Sequence, residues 1–258
     1  MSTAFLSAAS FVFLWDGWKN LPSGKLLPAV RLTLRDSCTV QTGVYAAPGS
    51  CRTIAVMFFS IDGIDGAGKS TQMQLFVEWL RELGHDVLTC RDPGSTPLGE
   101  QLREILLHKS DTAIGRRSEM LLYMAARAQL VEQVIRPALD SGQSVVSDRF
   151  LLANVVYQGH AGGLDAEALW QVGEVAVAGV RPTLTLLLDM SVQEAARRMN
   201  RAPDRIESQG LDYMQRVRQG FLTEAARRSD IAVIDALRDV AAVQADLRAA
   251  AERVLFPR

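Results

Sequence analysis

This chain lacks an excess of charge of either sign, long apolar runs, and any spaced set of cysteines or histidines. Its 258 residues carry 28 Lys and Arg against 29 Asp and Glu, a net charge of −1. No global field therefore draws it to nucleic acid or to an acidic membrane. No stretch approaches the ~20 consecutive apolar residues that a bilayer span requires. The three cysteines, Cys38, Cys51 and Cys90, show neither metal-ligand spacing nor a disulfide framework. A reducing, cytoplasmic setting fits them. His85, His108 and His160 share no partner spacing and read as structural or surface residues. Hydrophobic residues make up 48% of the chain, enough for one sizeable core with an appendage.

The opening 56 residues differ from the rest. They hold Lys19, Lys25, Arg31, Arg35 and Arg52 against Asp16 and Asp36, hence +3, while the remainder is −4. Trp15, Trp18 and two of the three cysteines lie there, with little helical or strand period. The apolar stretch Phe11-Val12-Phe13-Leu14-Trp15 lacks the basic leader of a secretory signal. Residues 1–56 read as a poorly ordered tail, a targeting peptide, or a stretch upstream of the true start. Met57, just before the first core strand, favours the last. Residues 57–258 read as one catalytic domain.

In that domain short apolar runs alternate with longer helical patterns. The runs are 54–61, 87–90, 144–147, 184–188 and 231–234. Helices are expected near 69–83, 98–108, 116–138, 165–178, 191–200, 208–228 and 239–254. Such alternation specifies an α/β fold, a five-stranded parallel sheet flanked by helices on both faces, with right-handed crossovers. Ligands bind beyond the carboxyl ends of such strands. Asp62, Arg91-Asp92, Asp148-Arg149 and Asp189 stand at that edge.

One motif dominates. Gly63-Ile64-Asp65-Gly66-Ala67-Gly68-Lys69-Ser70 reads G-x-x-x-x-G-K-S, followed by Thr71, between an apolar run and a helical pattern. Glycines let the chain wrap an anion so that backbone N–H groups point at phosphate oxygens. The helix N-terminus adds a favourable dipole. Lys69 is expected on the β- and γ-phosphates of ATP, and Ser70 on Mg²⁺. This is the P-loop NTPase signature; a glycine turn without a ligand is the plainer alternative.

The remaining candidates are weaker singly. Arg91 can grip an anionic acceptor through paired N–H donors, or simply pair with Asp92 or Glu100. Asp148 can hold Mg²⁺ through water, and Arg149 can bridge two phosphates; a plain Asp-Arg salt bridge is the alternative. Tyr123 and Arg127, four apart, share a helix face, suiting a stacking ring and a donor to a base, or ordinary core. Asn154 can read a pyrimidine edge, and Tyr157 can fill the space of a ribose 2′-hydroxyl; either can equally sit on a helix surface. Arg197, Arg198, Arg201 and Arg205 cluster around Pro203 and read as a basic flap over ATP, or as solvated helix ends.

Together these segments resemble bacterial thymidylate kinase over about 57–256. The resemblance is carried by Asp62–Thr71, Arg91-Asp92-Pro93-Gly94-Ser95-Thr96-Pro97-Leu98-Gly99, Tyr123–Arg127, Asp148-Arg149-Phe150 and Tyr157-Gln158-Gly159. It implies phosphoryl transfer from ATP to dTMP with Mg²⁺, usually in a homodimer. Asp65 matches the carboxylate that meets the sugar 3′-hydroxyl, and Arg149 the arginine on the acceptor phosphate. Tyr123 matches the aromatic that stacks on thymine, Arg127 the arginine on the base, and Asn154 and Tyr157 the pair testing base edge and deoxyribose. Asp62, Asp92, Ser95 and Tyr123 depart from the commoner Glu, Glu, Gly and Phe. Gly66 stands where some members carry a catalytic arginine, so the flap is expected to supply one, Arg201 or Arg205. A different monophosphate kinase is the nearest rival. A GTP-binding switch is disfavoured, because none of Asn20, Asn154 and Asn200 begins Asn-Lys-x-Asp. The helices 116–138 and 165–178, with Val172, Val175, Ala176 and Ala178, offer a face for self-association or ordinary core.

Overall fold

A computed structural model describes residues 55–108, 112–199 and 205–257. The leader up to Ile54, together with Asn200, Arg201, Pro203 and Asp204, lies outside the described residues. The five expected strands form one parallel sheet in the order β2-β3-β1-β4-β5. They are β1 (Phe58–Gly63), β2 (Val87–Arg91), β3 (Ser144–Asp148), β4 (Leu184–Asp189) and β5 (Ile231–Asp235). Register sets Ile61 beside Asp148 and Gly63 beside Leu188. The runs of β1, β3 and β4 are thus buried on both faces, as a covered parallel sheet demands, while the edge strands β2 and β5 are partly exposed.

Successive strand residues serve opposite faces. Phe59 and Val146 join a core with Phe76 and Trp79 of α1 (Lys69–Glu82) and Leu247 and Ala251 of α9 (Val240–Leu255). Phe59 meets Phe76 edge-on, with centroids 5.2 Å apart. Phe58 and Val145 join a second cluster with Leu130 of α3 (Arg116–Leu130) and Leu169 of α6 (Ala166–Val177).

Helix starts follow local chemistry. Pro97 opens α2 (Pro97–Leu107), and the Thr96 side chain accepts from Gly99 N–H. Ser191 caps α7 (Val192–Arg198) and Asp239 caps α9 in the same way. The expected helix 116–138 is present, but its middle widens into a π-helix at Val131–Ile135 before α4 (Arg136–Asp140). The expected 208–228 helix begins later, as α8 (Leu211–Ala225), after a 3₁₀ turn at Glu207–Gln209.

One helical segment was absent from the sequence reading. Leu151–Asn154 form α5, which runs on as a π-helix through Val155–Ala161. Its residues are nearly all buried, so no polar face interrupts the apolar run to reveal a period of 3.6. His160 lies at its end, and its Nε2 donates at 2.7 Å to the Glu224 carboxylate, which also accepts from Trp170. That agrees with a structural role for the histidine.

Phe59 is fully buried. Phe59→Ala should cost about 3–5 kcal/mol of stability, read from urea unfolding by circular dichroism. A change below about 1 kcal/mol would mean that this core collapses around the cavity.

Candidate active site

The glycine loop leaves β1 at Gly63, whose φ of 139° suits glycine; a Cβ there would lie 2.5 Å from Leu188 O. At Gly66 the φ is 85°, and a Cβ would lie 2.3 Å from the carbonyl oxygen of Ala195. The loop closes so tightly on β4 and α7 that only glycine fits at these positions. No side chain caps α1, and Gly68 at its N-cap is left-handed. The first-turn N–H groups of α1 thus face the cleft, ready for an anion.

Lys69 folds across the loop. Its Nζ donates to Gly63 O at 3.1 Å, Ile64 O at 3.0 Å and Asp65 Oδ1 at 3.1 Å. Arg149 reaches the same carboxylate oxygen from β3, with Nη2 at 2.8 Å. Arg149 takes a φ of 67° and sets its guanidinium over Tyr157, 5.1 Å from the ring centroid. Burial alone would raise the Asp65 pKa, yet Arg149 and Lys69 outweigh it and hold the carboxyl well below the usual range. Burial, with the nearby Arg149 charge, pulls the Lys69 pKa down against Asp65 and Asp148. Burial also works against the Arg149 cation, but Asp65, Tyr157 and Asp148 hold it charged well past its ordinary range.

Two cavities meet at this cluster. The larger, about 600 Å³, is lined by Gly66 through Thr71, by Arg91 and Asp148, and by Arg198 and Arg238. The smaller, about 100 Å³, brings together Tyr123, Arg127, Asn154 and Tyr157. Asp65, Asp92, Arg103 and Arg149 line both. The sequence-derived acceptor residues therefore converge on one pocket, with the exception of Arg91. Arg91 lines the phosphate cleft, is half exposed, and pairs with Glu100 at 2.6 Å. Its ion-pair reading from sequence was sound.

The fit to Mg²⁺ rests on Asp148 Oδ1, a buried oxygen with no hydrogen-bond partner. It lies in the cleft that Ser70 also lines. Among the described residues no group of three or more His, Cys, Asp or Glu could hold an ion by itself. An ion here would be shared with phosphate oxygens, as Mg²⁺ prefers.

Arg127 is 1% exposed. Its Nε donates to Asp92 Oδ2 at 2.6 Å, and its Nη1 to Asn154 Oδ1 at 3.0 Å. Burial pushes the Asp92 pKa up against the pull of Arg127. Asn154 and Tyr157 are buried, so the helix-surface alternative fails for both. Of the flap arginines, Arg198 lines the phosphate cleft and donates to Ala236 O at 3.2 Å. Arg205 lines neither cavity; it donates to Leu106 O at 2.7 Å and pairs with Glu119. Arg201 lies outside the described residues.

Sequence reasoning missed Arg103, whose Nη1 donates to Pro93 O at 3.0 Å and which faces both cavities. It sits mid-helix in α2 with no motif around it. Gln72, Arg238, Gln158 and Ile206 were missed likewise.

A strand, a glycine loop and an uncapped helix facing a cationic cleft define the P-loop NTPase fold. A family model described as thymidylate kinase matches residues 61–247. Thymidylate kinase of Rhodopirellula baltica is 52% identical over 165 residues, covering 64% of this chain and 67% of that protein. That of Symbiobacterium thermophilum is 44% identical over 201 residues, covering 77% and 94%. The crystal structure of thymidylate kinase from Ehrlichia chaffeensis superposes with a TM-score of 0.63 at 28% identity, covering 76% of this chain and 98% of that one. The chain belongs to the thymidylate kinase family, and it is a kinase.

Asp62 gives a pH-dependent prediction. Burial raises its pKa to about 6, although Ser60 Oγ donates to it at 2.7 Å. The neutral form is favoured in the fold, so stability is full below the unfolded value of 3.8 and falls as pH rises through about 6. Asp62→Asn removes that loss. Relative to wild type the variant should gain on the order of 3 kcal/mol between pH 4 and pH 7, measured by urea unfolding. Equal pH dependence of the two proteins would refute the burial argument.

Proposed function

We propose that this chain phosphorylates dTMP to dTDP with ATP, using the loop cleft for the donor and the adjoining pocket for the acceptor. The observation that carries this reading is that Asp65 and Arg149 line both cavities. A triphosphate in one and a monophosphate in the other would meet end to end at that pair. Holding both reactants so replaces a bimolecular encounter by a positioned one.

The chemistry needs charge neutralisation rather than a strong base, because the acceptor phosphate is already ionised near neutral pH. Lys69 and the loop amides of Gly63 to Thr71 take the β- and γ-phosphates. Arg149 bridges the transferred group and the acceptor phosphate. Asp65, held ionised by its two cations, accepts from the sugar 3′-hydroxyl. Tyr123 stacks on the base, Arg127 and Asn154 meet its polar edge, and Tyr157 closes the space of a 2′-hydroxyl. Arg91 adds positive charge at the mouth of the cleft. Ser70 and Asp148 would hold Mg²⁺, which supplies further neutralisation of phosphate charge when bound. Arg201 keeps its sequence-based assignment as the flap arginine over ATP. Arg205 is committed to Glu119 and the Leu106 carbonyl in this arrangement, so it would have to exchange those partners to reach the phosphates.

The assembly we propose is a homodimer in the cytoplasm. Leu121 of α3 and Val175 of α6 are exposed apolar side chains on helices that pack together. No helix among the described residues is long and apolar enough to cross a membrane. Residues 1–56 are assigned no part in the reaction, and the +3 charge of that stretch needs no partner.

Turnover of ATP with each common nucleoside monophosphate tests the reading directly: dTMP should be strongly preferred, and preference for dUMP or GMP would favour a sister kinase. Lys69→Ala should lower kcat by about 100-fold or more while circular dichroism stays unchanged. Near wild-type turnover would dismiss the loop assignment. Tyr123→Ala should raise the KM for dTMP about tenfold and leave that for ATP in place. Arg127 is the poorer probe, since its removal strands the buried Asp92 and costs about 3–5 kcal/mol of stability. Equal weakening of both substrates by Tyr123→Ala would remove the tyrosine from the base site.

A further inference from the structure

A line of buried side chains runs away from the acceptor pocket to the segment after the flap. Arg127 Nη1 donates to Asn154 Oδ1 at 3.0 Å. Asn154 Nδ2 donates to Gln158 Oε1 at 2.7 Å, and Gln158 Nε2 to Glu119 Oε1 at 2.9 Å. The other oxygen of Glu119, Oε2, accepts from Arg205 Nη2. Arg205 is tied in turn to α2, through Leu106 O at 2.7 Å and through its own N–H to Leu107 O at 3.3 Å. Its neighbour Ile206 is a buried wall of the acceptor pocket. Four of these groups, Arg127, Asn154, Gln158 and Glu119, are buried.

The direction of each bond is dictated by what the groups can do. Both arginines only donate, a carboxylate only accepts, and each amide does one of each. Four links need four donors and four acceptors. Arg127, Asn154, Gln158 and Arg205 give one donor each. Asn154 and Gln158 give one acceptor each, and Glu119 gives two. The count closes with one carboxylate in the line, and that carboxylate is what turns the Asn154 amide oxygen toward Arg127.

We propose that Glu119 is a positioning residue for the acceptor pocket: through Gln158 it fixes the orientation of the Asn154 amide, and through Arg205 it anchors Ile206. Glu119 lines neither the phosphate cleft nor the acceptor pocket, so it touches no substrate. The inference rests on the assignment of that pocket to dTMP. It adds a determinant of acceptor binding placed one turn back along α3, the helix that also carries Tyr123 and Arg127.

Glu119→Gln upsets the count, giving five donors against three acceptors. One donor must then face another donor, either along the amides, where Asn154 and Gln158 line the pocket, or at Arg205, whose neighbour Ile206 does. Glu119→Gln with Gln158→Glu restores four and four. The carboxylate, moved to position 158, then accepts from Asn154 and from the amide at position 119, and the oxygen of that amide accepts from Arg205. A role in packing alone would not be repaired by exchanging the two side chains.

Steady-state kinetics on wild type, Glu119→Gln and the exchanged pair, each checked by its thermal melt, tests this. Glu119→Gln should raise the KM for dTMP about tenfold and leave that for ATP within about twofold. The exchanged pair should return the KM for dTMP to within about threefold of wild type. Unchanged dTMP affinity in Glu119→Gln, equal weakening toward ATP, or no repair in a folded exchanged pair would overturn the proposal. Should Glu119→Gln not fold, a folded exchanged pair with wild-type affinity supports the count, and failure of both overturns it. Absence of dTMP turnover in the unaltered chain would instead bring down the assigned function, and the inference with it.

Discussion

Asp65 lies between two cations, Lys69 at 3.1 Å and Arg149 at 2.8 Å, partly buried where the two cavities meet. Each of the three groups would be costly to bury by itself. Together they are compatible, because the Asp65 carboxylate sits between the two cations and offsets the charge of both. Their placement depends on the sheet. β1 delivers Asp65 through the glycine loop, α1 delivers Lys69, and β3 delivers Arg149. Neighbouring parallel strands end side by side, so charges at their carboxyl ends are brought together by backbone register. The two cavities join at this cluster because β1 and β3 are adjacent.

This explains why so much of the fold and the loop was legible. A parallel sheet covered on both faces writes each strand as an unbroken apolar run, and all five runs became strands. The glycine spacing is equally local: within eight residues it specifies turn, helix start and lysine. Asp148 and Arg149 were legible because they end a strand. What failed was also local in origin. The helical segment 151–161 is buried almost throughout, so its pattern carries no polar stripe, and two of its side chains were assigned a surface alternative that their burial removes. The widening of the 116–138 helix into a π-turn leaves no trace in hydrophobic period either.

The acceptor pocket was only half legible, for a different reason. Tyr123 and Arg127 can be related by helical spacing, but what holds Arg127 cannot. Its partners Asp92 and Asn154 come from 35 and 27 residues away. Glu119 and Arg205 are separated by 86 residues. Nothing at position 119 or 158 is distinctive alone; meaning arises only when α3, the 151–161 segment and the stretch after the flap are packed together. The same holds for Arg103, an ordinary mid-helix arginine until α2 turns it toward both cavities. Arg91 fits both of its sequence readings, since it lines the phosphate cleft at a strand end while its guanidinium is shared with Glu100.

The pairing of Asp92 with Arg127 is a burden on the fold if judged by stability alone. Replacing a buried ion pair by apolar groups of similar volume is often neutral or stabilising. What apolar groups could not do is point. An aliphatic side chain at 127 would leave the Asn154 oxygen without its donor, whereas a guanidinium pinned by Asp92 admits only the oxygen, the same orientation that the line through Gln158 and Glu119 sets from the other end. A pocket that must accept a base by its polar edge gains from groups whose orientation is settled before the ligand arrives, because that ordering is then not charged against binding. The buried charges and amides behind the acceptor pocket therefore make sense as a frame that fixes hydrogen-bond direction, and the hydrophobic clusters on either side of the sheet provide the stability that such a frame consumes.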